Sequence, residues 1–190
     1  SKLAAEVSDS DHDGPLGIGH TSWSTHGPPS DDNAHPHTGC QDHVATVHNG
    51  IIENYDELRR TLRDRGHEFS SDTDTEVIPH LIEEGLADGH SPGDAFRAAI
   101  DRLEGSYAIA AIVEGEPTVY ATRNGSPLVI GIGETANYLA SDVPAFLEFT
   151  DRVIYLEDDD IVALTDSTHR ITDAHGTVVS RPIETVDWDQ

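Results

Sequence analysis

The chain has 190 residues, with 36 acidic and 11 basic side chains and a formal net charge of -25, which argues against nucleic acid and anionic membrane surfaces as partners. Its one cysteine, Cys40, excludes an intrachain disulfide and favours a cytoplasmic location. No apolar run approaches the length of a membrane span, and periodic apolar segments indicate a folded domain rather than disorder.

The first half of the chain predicts two short strands and three helices. Residues 16–20 and 44–48 have the short apolar runs, bounded by glycine and polar residues, that are typical of buried strands. Asn54, or the residue before it, can cap a helix that runs to about Arg65 and stops at Gly66.

Two further helices are predicted from their start signals and apolar faces. One begins near Asp74 or Thr75. Its buried residues are expected to be Val77, Ile78, Leu81 and Ile82. The other begins with Ser91 as its cap and ends at Gly105. Its buried residues are expected to be Phe96, Ala99, Ile100 and Leu103.

The second half of the chain changes to short apolar runs separated by Gly, Asp, Asn and Pro. The predicted strands are residues 107–113, 118–122, 128–132, 138–141, 153–156, 161–164 and 178–180, with residues 114–117 as a hairpin connection. Helices followed by strands favour an α+β fold over a parallel βαβ series. Without an internal repeat or a clean boundary, residues 1–190 are predicted to form one domain, with residues 1–15 and 166–190 peripheral.

Two polar stretches break the regular patterns. They are residues 21–27, which continue through residues 33–37, and residues 47–54. Both combine Thr, His and Asn side chains, which hydrogen-bond in fixed directions, with glycines that let a backbone approach a ligand. We expect both to be strand ends that open into functional loops.

Together the two stretches resemble the glutaminase domains of glucosamine-6-phosphate synthases, which are class II glutamine amidotransferases of the N-terminal-nucleophile hydrolase superfamily. The resemblance implies a four-layer α+β sandwich, two antiparallel sheets between helical layers, here without the family's first strand and helix. It also implies hydrolysis of L-glutamine to L-glutamate and delivery of ammonia to a sugar-phosphate isomerase domain, absent from this chain, that makes glucosamine 6-phosphate from fructose 6-phosphate. A homodimer is expected for the full-length form.

The resemblance assigns roles to individual residues. Asn49, through its side-chain amide, and Gly50, through its backbone N–H, match the family's oxyanion hole. Asp74 matches the carboxylate that pairs with the substrate's α-ammonium group. Residues 123–131 and 139–142 match framework strands and turns. Three positions match the lining of the glutamine pocket: Trp23, Thr25 and His26.

The chain departs from the family pattern in two ways. The family's N-terminal cysteine nucleophile has no counterpart here, so the chain as it stands is expected not to hydrolyse glutamine. Ser22 replaces an arginine that binds the substrate carboxylate, and loss of such a charged hydrogen bond costs about 1.5–3 kcal/mol. These departures leave open a non-catalytic relative that binds glutamine or glutamate or serves as a regulatory module.

Simpler interpretations exist for some of these residues. Asn49–Gly50 is a common turn dipeptide, and Asp74 could be a helix cap. Trp23 could belong to the core, and Thr25 could be an ordinary strand residue.

The 12 histidines raise the possibility of a metal-dependent or purely structural domain, through His35 and His37 with His26 or His48. Zinc sites usually add thiol or carboxylate ligands, and Cys40 is the only thiol. We therefore expect His35, His37 and His48 to order the loop around the pocket, Cys40 to be incidental, and no metal or cofactor to be bound.

The excess of acidic residues and the single lysine, Lys2, resemble proteins of salt-loving organisms. In such proteins concentrated salt screens the self-repulsion of the acidic surface. We therefore expect a halophilic protein that is stabilised by salt.

Overall fold

The computed structural model describes residues 15–21 and 30–187. Among these residues, none of the helices has both the length and the apolar character needed to cross a membrane.

Strands make up most of the regular structure in the described part of the chain. In chain order they are β1 (His37–Thr38), β2 (Val44–Ile52), β3 (Gly105–Val113), β4 (Val119–Asn124), β5 (Val129–Ile132), β6 (Asn137–Ala140), β7 (Arg152–Tyr155), β8 (Ile161–Leu164), β9 (His169–Thr172), β10 (Val178–Val179) and β11 (Glu184–Thr185). The helices are α1 (Tyr55–Asp64), α2 (Val77–Ala87) and α3 (Pro92–Ile100), with a 3-10 turn at Val143–Ala145.

These strands form two antiparallel sheets. The larger sheet has seven strands in the order β1-β2-β3-β4-β8-β9-β10, and the smaller has four in the order β11-β7-β5-β6. The longest pairing joins β2 to β3, from Val44 opposite Val113 to Ile52 opposite Gly105. Strand β9 lies within residues 166–190, so this part of the chain adds to the larger sheet.

Each face of the larger sheet has its own core. One face carries Val44, Ile52 and Ile109 and packs against the buried residues of α1, α2 and α3. The opposite face carries Ala108 and Ala110, which pack with apolar residues of β5 and β7 in the smaller sheet. A third cluster, which includes residues of the 3-10 turn, covers the outer side of the smaller sheet. This layered arrangement confirms the predicted α+β sandwich of two antiparallel sheets.

Most predicted elements are present where expected. The seven strands of the second half are confirmed, with ends displaced by no more than about two residues, as is usual for element boundaries. Residues 44–48 form a strand that continues to Ile52. Leu58 and Leu62 are buried in α1, and Gly66 follows it with φ +96°. Ser91 caps α3, since its hydroxyl accepts the Asp94 N–H.

Two local predictions are wrong, and a third is confirmed only in part. Residues 16–20 have no regular strand structure, although Ile18 packs against the core between the sheets. Asn54 occupies the N-cap position of α1 as expected, but its side chain makes no capping bond: it bonds to the Arg102 carbonyl and the Glu104 N–H and ties the helix start to the loop before β3. Helix α3 ends at Ile100, and Gly105 instead begins β3.

Three short strands were not predicted: β1, β9 and β11. They have two to four residues each and carry His, Thr, Arg or Glu side chains. Such runs lack apolar alternation, and pairing with a longer neighbouring strand defines them.

Gly50 has a backbone conformation that other residues rarely adopt. Its φ is +121°, and a Cβ at this position would lie 2.0 Å from the Ser106 carbonyl oxygen on β3. Glycine is therefore required at position 50 by the close approach of β3, whether or not its N–H also binds a ligand.

We predict that Gly50→Ala destabilises the protein by about 2 kcal/mol or more, because the added methyl group meets backbone that has no room to move and the positive φ is strained. Chemical unfolding of both proteins measures the effect. Gly17→Ala is the matched control, since a Cβ there has no atom within 4 Å. Equal stability of Gly50→Ala and Gly17→Ala would contradict the prediction.

Candidate active site

The alternation of β2 places neighbouring polar residues on opposite faces of the larger sheet. Val47 packs in the core between the sheets, and Asn49, two residues later, lies on the same face. His48 is buried and faces the helical side, together with Ile52. Asn49 is exposed at the end of the intersheet space. The strand therefore exposes Asn49 at the end of the space between the sheets and keeps His48 buried on the helical side.

Hydrogen bonds on both sides hold the Asn49 amide. Its oxygen lies 2.6 Å from Nε2 of His20, which must carry the proton because an amide oxygen only accepts. Its nitrogen donates to the Ser141 hydroxyl at 2.7 Å. The amide nitrogen has a second hydrogen, which is available to a ligand. These two contacts pre-orient Asn49 as a donor.

The contacts to Asn49 were not predicted. His20 was assigned to a strand that does not form, and Ser141 was treated only as framework. Each lies far from Asn49 along the chain, by 29 residues for His20 and 92 for Ser141. Sequence spacing therefore carried no signal for either contact.

Two side chains bond to backbone N–H groups of β2 on either side of Gly50. His48 N–H donates to Nδ1 of His35 at 3.3 Å, and Ile52 N–H donates to the Asp74 carboxylate at 2.8 Å. Asp74 is 3% exposed and lies before α2, whose N-cap position is Glu76. The structure thus brings Asp74 to the end of β2, where it bonds to Ile52, two residues after Gly50 on the same strand.

The segment that carries Asp74 is held by a buried carboxylate and a guanidinium. Glu76 accepts the N–H groups of Ser70 and Ser71, each at 2.7 Å, and both of their hydroxyl groups. Burial raises the pKa of Glu76, but the contact with His80 and the hydrogen bonds from Ser71 and Ser70 outweigh it and hold that pKa at about 2. Arg59 donates to carbonyl oxygens of the same segment.

The predicted loop-ordering histidines form a connected network. His35 stacks on His20 with ring centroids 4.3 Å apart and contacts the edge of His37 at 4.9 Å. His35 Nδ1 accepts the His48 N–H, so its Nε2 carries the proton and faces the Thr75 hydroxyl at 3.3 Å. That hydroxyl can then donate to Nδ1 of His48 at 2.8 Å.

This network favours neutral imidazole rings. Burial lowers the pKa of His35 from 6.5 to about 3, with further lowering by His20, His37 and His48. Burial also lowers the pKa of His37, against the opposing effect of nearby carboxylates. His37 Nε2 contacts the Thr73 hydroxyl at 3.0 Å. His35 and His37 are therefore held by hydrogen bonds and packing as uncharged groups.

Four predicted pocket residues, Ser22, Trp23, Thr25 and His26, lie outside the described residues. A cavity of about 360 Å³ opens between the two sheets, with Ile18, Val47 and Leu139 in its lining. This apolar space adjoins the strand that carries Asn49.

We predict that His35 makes stability fall with decreasing pH. Unfolded His35 takes up a proton near pH 6.5, whereas the folded protein resists protonation until about pH 3. The free energy of unfolding therefore decreases as pH falls below 6.5. The decrease is less than about 1.4 kcal/mol per pH unit, because solvent partly screens the site. Unfolding measured from pH 7 to pH 4.5 should show a weaker pH dependence in His35→Gln than in the original protein.

The control is His175→Gln, which changes an exposed histidine. It should leave the pH dependence as it is in the original protein. Parallel curves for all three proteins would contradict the role of His35.

Comparison with known proteins identifies the family. Residues 22–148 match the family model described as a glutamine amidotransferase domain. The glutamine–fructose-6-phosphate aminotransferase (isomerizing) of Sulfurisphaera tokodaii is 51% identical over 174 residues, which cover 90% of this chain and 30% of that protein. Proteins of the same name from Halobacterium salinarum and Thermus thermophilus are 51% and 49% identical and cover 98% and 99% of this chain. The chain spans only 31% of the length of each of these two relatives.

Solved structures show the same fold. The glutamine phosphoribosylpyrophosphate amidotransferase from B. subtilis, in complex with ADP and GMP, matches with a TM-score of 0.69 and 25% identity, over 84% of this chain and 35% of that chain. A structure described as the allosteric regulatory enzyme of purine biosynthesis matches with a TM-score of 0.63 and 26% identity, over 75% of this chain and 31% of that chain. With its two-sheet N-terminal-nucleophile hydrolase fold and a family match over most of its length, this chain belongs to the glutamine amidotransferase domain family.

Proposed function

We propose that this domain binds L-glutamine, and that the enzyme it belongs to hydrolyses the side-chain amide to give L-glutamate and ammonia. The ammonia would serve a sugar-phosphate isomerase domain that makes glucosamine 6-phosphate from fructose 6-phosphate. The observation that carries this proposal is the side-chain amide of Asn49, next to Gly50, which hydrogen bonds to His20 and Ser141 fix in place. Identity near 50% to isomerizing aminotransferases, over nearly the whole chain, supports the choice of acceptor.

The oxyanion hole is the chemical centre of the proposal. Attack on a carboxamide puts negative charge on its oxygen, and preorganised N–H donors stabilise that charge. Asn49 offers the second hydrogen of its amide nitrogen. N–H groups two residues apart in a strand face the same edge. The Gly50 N–H therefore lies between the His48 N–H, which donates to His35, and the Ile52 N–H, which donates to Asp74.

Asp74 is proposed to bind the α-ammonium group of the substrate. Its carboxylate accepts the Ile52 N–H, so the same residue that fixes the end of β2 would also place the amino acid relative to Gly50. Ser22 would give the substrate carboxylate one neutral hydrogen bond in place of the family's arginine, and we expect weak glutamine binding as a result.

The nucleophile is proposed to be a cysteine at an N-terminus, as in the resembled family, where the α-amine serves as the base. The one thiol of the chain, Cys40, is surrounded by His67, His80 and Glu68, and we give it no part in the attack. We propose that the 190 residues by themselves bind glutamine without turning it over.

We predict that Asn49→Ala in the intact enzyme, with its nucleophile, lowers kcat for glutamine hydrolysis by about 100-fold or more, because one donor to the oxyanion is lost. KM should change much less, since the charge on the oxygen develops only in the transition state. Release of glutamate from glutamine is the measurement. Gln41→Ala, an exposed amide on another loop, should keep the original kcat. An unchanged kcat in Asn49→Ala would exclude Asn49 from the oxyanion hole.

We predict that Asp74→Asn weakens binding of L-glutamate by more than about 10-fold through loss of the charge pair with the ammonium group. Asparagine retains an oxygen that can accept the Ile52 N–H, so the fold should persist. Calorimetric titration of the 190-residue chain tests this, with Asp72→Asn as an exposed acidic control nearby. Equal weakening in both variants would point to net charge instead of a specific contact.

Several broader expectations complete the proposal. The single cysteine supports a cytoplasmic location, and the net charge of -25 supports a protein that works in concentrated salt and binds neither nucleic acid nor anionic membranes. The titrations are therefore best made in concentrated KCl. For the full-length enzyme we propose a homodimer.

A further inference from the structure

Cys40, His67, His80 and Glu83 meet at one point, away from the residues proposed for glutamine. Cys40 lies in the loop between β1 and β2, His67 follows α1, and His80 and Glu83 are on α2. One ligand atom from each lies within 4.8 Å of all the others. In this group the sulfur, the two imidazoles and the carboxylate come from three separate segments of the chain.

The distances in this cluster approach those of a tetrahedral zinc site. Zn–S and Zn–N bonds of about 2.3 and 2.0–2.1 Å place sulfur and nitrogen ligands about 3.5 Å apart, and two nitrogen ligands about 3.3 Å apart. Cys40 Sγ lies 3.5 Å from His80 Nδ1 and 3.7 Å from His67 Nδ1. The two Nδ1 atoms are 3.1 Å apart, and Glu83 Oε2 is 4.0 Å from that of His80.

The outer nitrogens of both histidines face carboxylates. His67 Nε2 is 3.7 Å from Glu84, and His80 Nε2 is 3.8 Å from Glu76. Metal-bound histidines commonly have a carboxylate on the far side of the ring, because it fixes the ring and makes the inner nitrogen a better ligand. Two rings in one cluster, both with Nδ1 inward and Nε2 toward a carboxylate, fit this pattern.

The backbone around the cluster makes room for the ligands and supports their charge. Glu83 accepts the Cys40 N–H at 2.8 Å and the Gln41 N–H at 3.1 Å. A Cβ on Gly39 would lie 2.1 Å from the Glu83 carboxyl carbon, so glycine leaves the space that this carboxylate uses. The Glu68 N–H donates to Cys40 Sγ at 3.4 Å and so helps to position the sulfur.

We propose that Cys40, His67, His80 and Glu83 bind one divalent transition-metal ion, with zinc as the best match. A mixed set of one sulfur, two nitrogens and one oxygen suits zinc better than magnesium or calcium, which prefer oxygen ligands. Four protein ligands fill a tetrahedral shell, so the site is structural. On binding, the Cys40 thiol releases its proton to solvent and the Cys40–metal bond forms.

The bound metal would join the loop at residues 39–41, the turn at residues 66–68 and helix α2. Glu76 links it to the candidate active site, because this residue faces His80 and also holds the segment that carries Asp74. The metal thus stabilises the support of the glutamine site and takes no part in the chemistry.

This inference replaces the expectation that no metal is bound and that Cys40 is incidental. The histidines first considered as metal ligands, His35 and His37, contact other histidines and threonine hydroxyls. The partners of Cys40 lie 27 to 43 residues away along the chain, so no short spacing pattern announced them.

The test uses the 190-residue chain without a histidine tag. After dialysis against zinc and then buffer, elemental analysis should find about one zinc per chain in the original protein. Saturating zinc should raise its Tm by roughly 5–10 °C. Cobalt in place of zinc should produce the near-ultraviolet absorption band of a thiolate–cobalt bond.

Cys40→Ser and His67→Ala should each lose the bound zinc and the Tm shift, and Cys40→Ser should also lose the cobalt band. Cys40 is exposed, so its variant should remain folded. His90→Ala, a change to an exposed histidine outside the cluster, should retain all three signals. Absence of zinc from the original protein, or equal zinc binding by Cys40→Ser, would overturn the proposal. Neither result depends on glutamine binding, so the proposed function would be unaffected.

Discussion

The candidate site depends on one strand, β2, and on the way its backbone is held along both edges. Pairing with β3 fixes the register of all nine of its residues and brings the Ser106 carbonyl so close to Gly50 that no side chain fits there. His35 and Asp74 bind the N–H groups on either side of Gly50. Because the strand is fixed in this way, Asn49 and Gly50 would, in the proposed function, act as donors without rearrangement when charge develops on a substrate.

Two buried networks with different chemistry support this strand. In the histidine and threonine network around His48, burial keeps the pKa of His35 far below its ordinary value and this ring neutral. The segment before α2 depends on the charged Glu76, which remains ionised because serine N–H and hydroxyl groups surround it. Neutral groups on one side and a compensated charge on the other let polar residues lie next to the core without an unpaired buried charge.

The proposed metal site extends this support away from the substrate. A domain with a net charge of -25 has strong self-repulsion, and a divalent cation among Glu83, Glu84 and Glu76 would offset part of it locally. It would also connect the loop at residues 39–41, the turn at residues 66–68 and helix α2. In this view α2 has two roles: its apolar face builds the core, and its polar face organises the segment that leads to Asp74.

The sequence by itself determined the α+β class and most strands and helices, because apolar periodicity is written in neighbouring residues. Its resemblance to a known family led to the choice of Asn49, Gly50 and Asp74 as site residues. Tertiary structure alone decided what those residues touch. His20 and Ser141 reach Asn49 from distant segments, the Asn54 side chain bonds to the loop before β3 instead of to its own helix, and Cys40 joins two histidines and a glutamate. Short strands such as β9 also exist only through their neighbours. Contacts of this kind depend on how sheets and helices pack, and residue spacing along the chain carries no record of that packing.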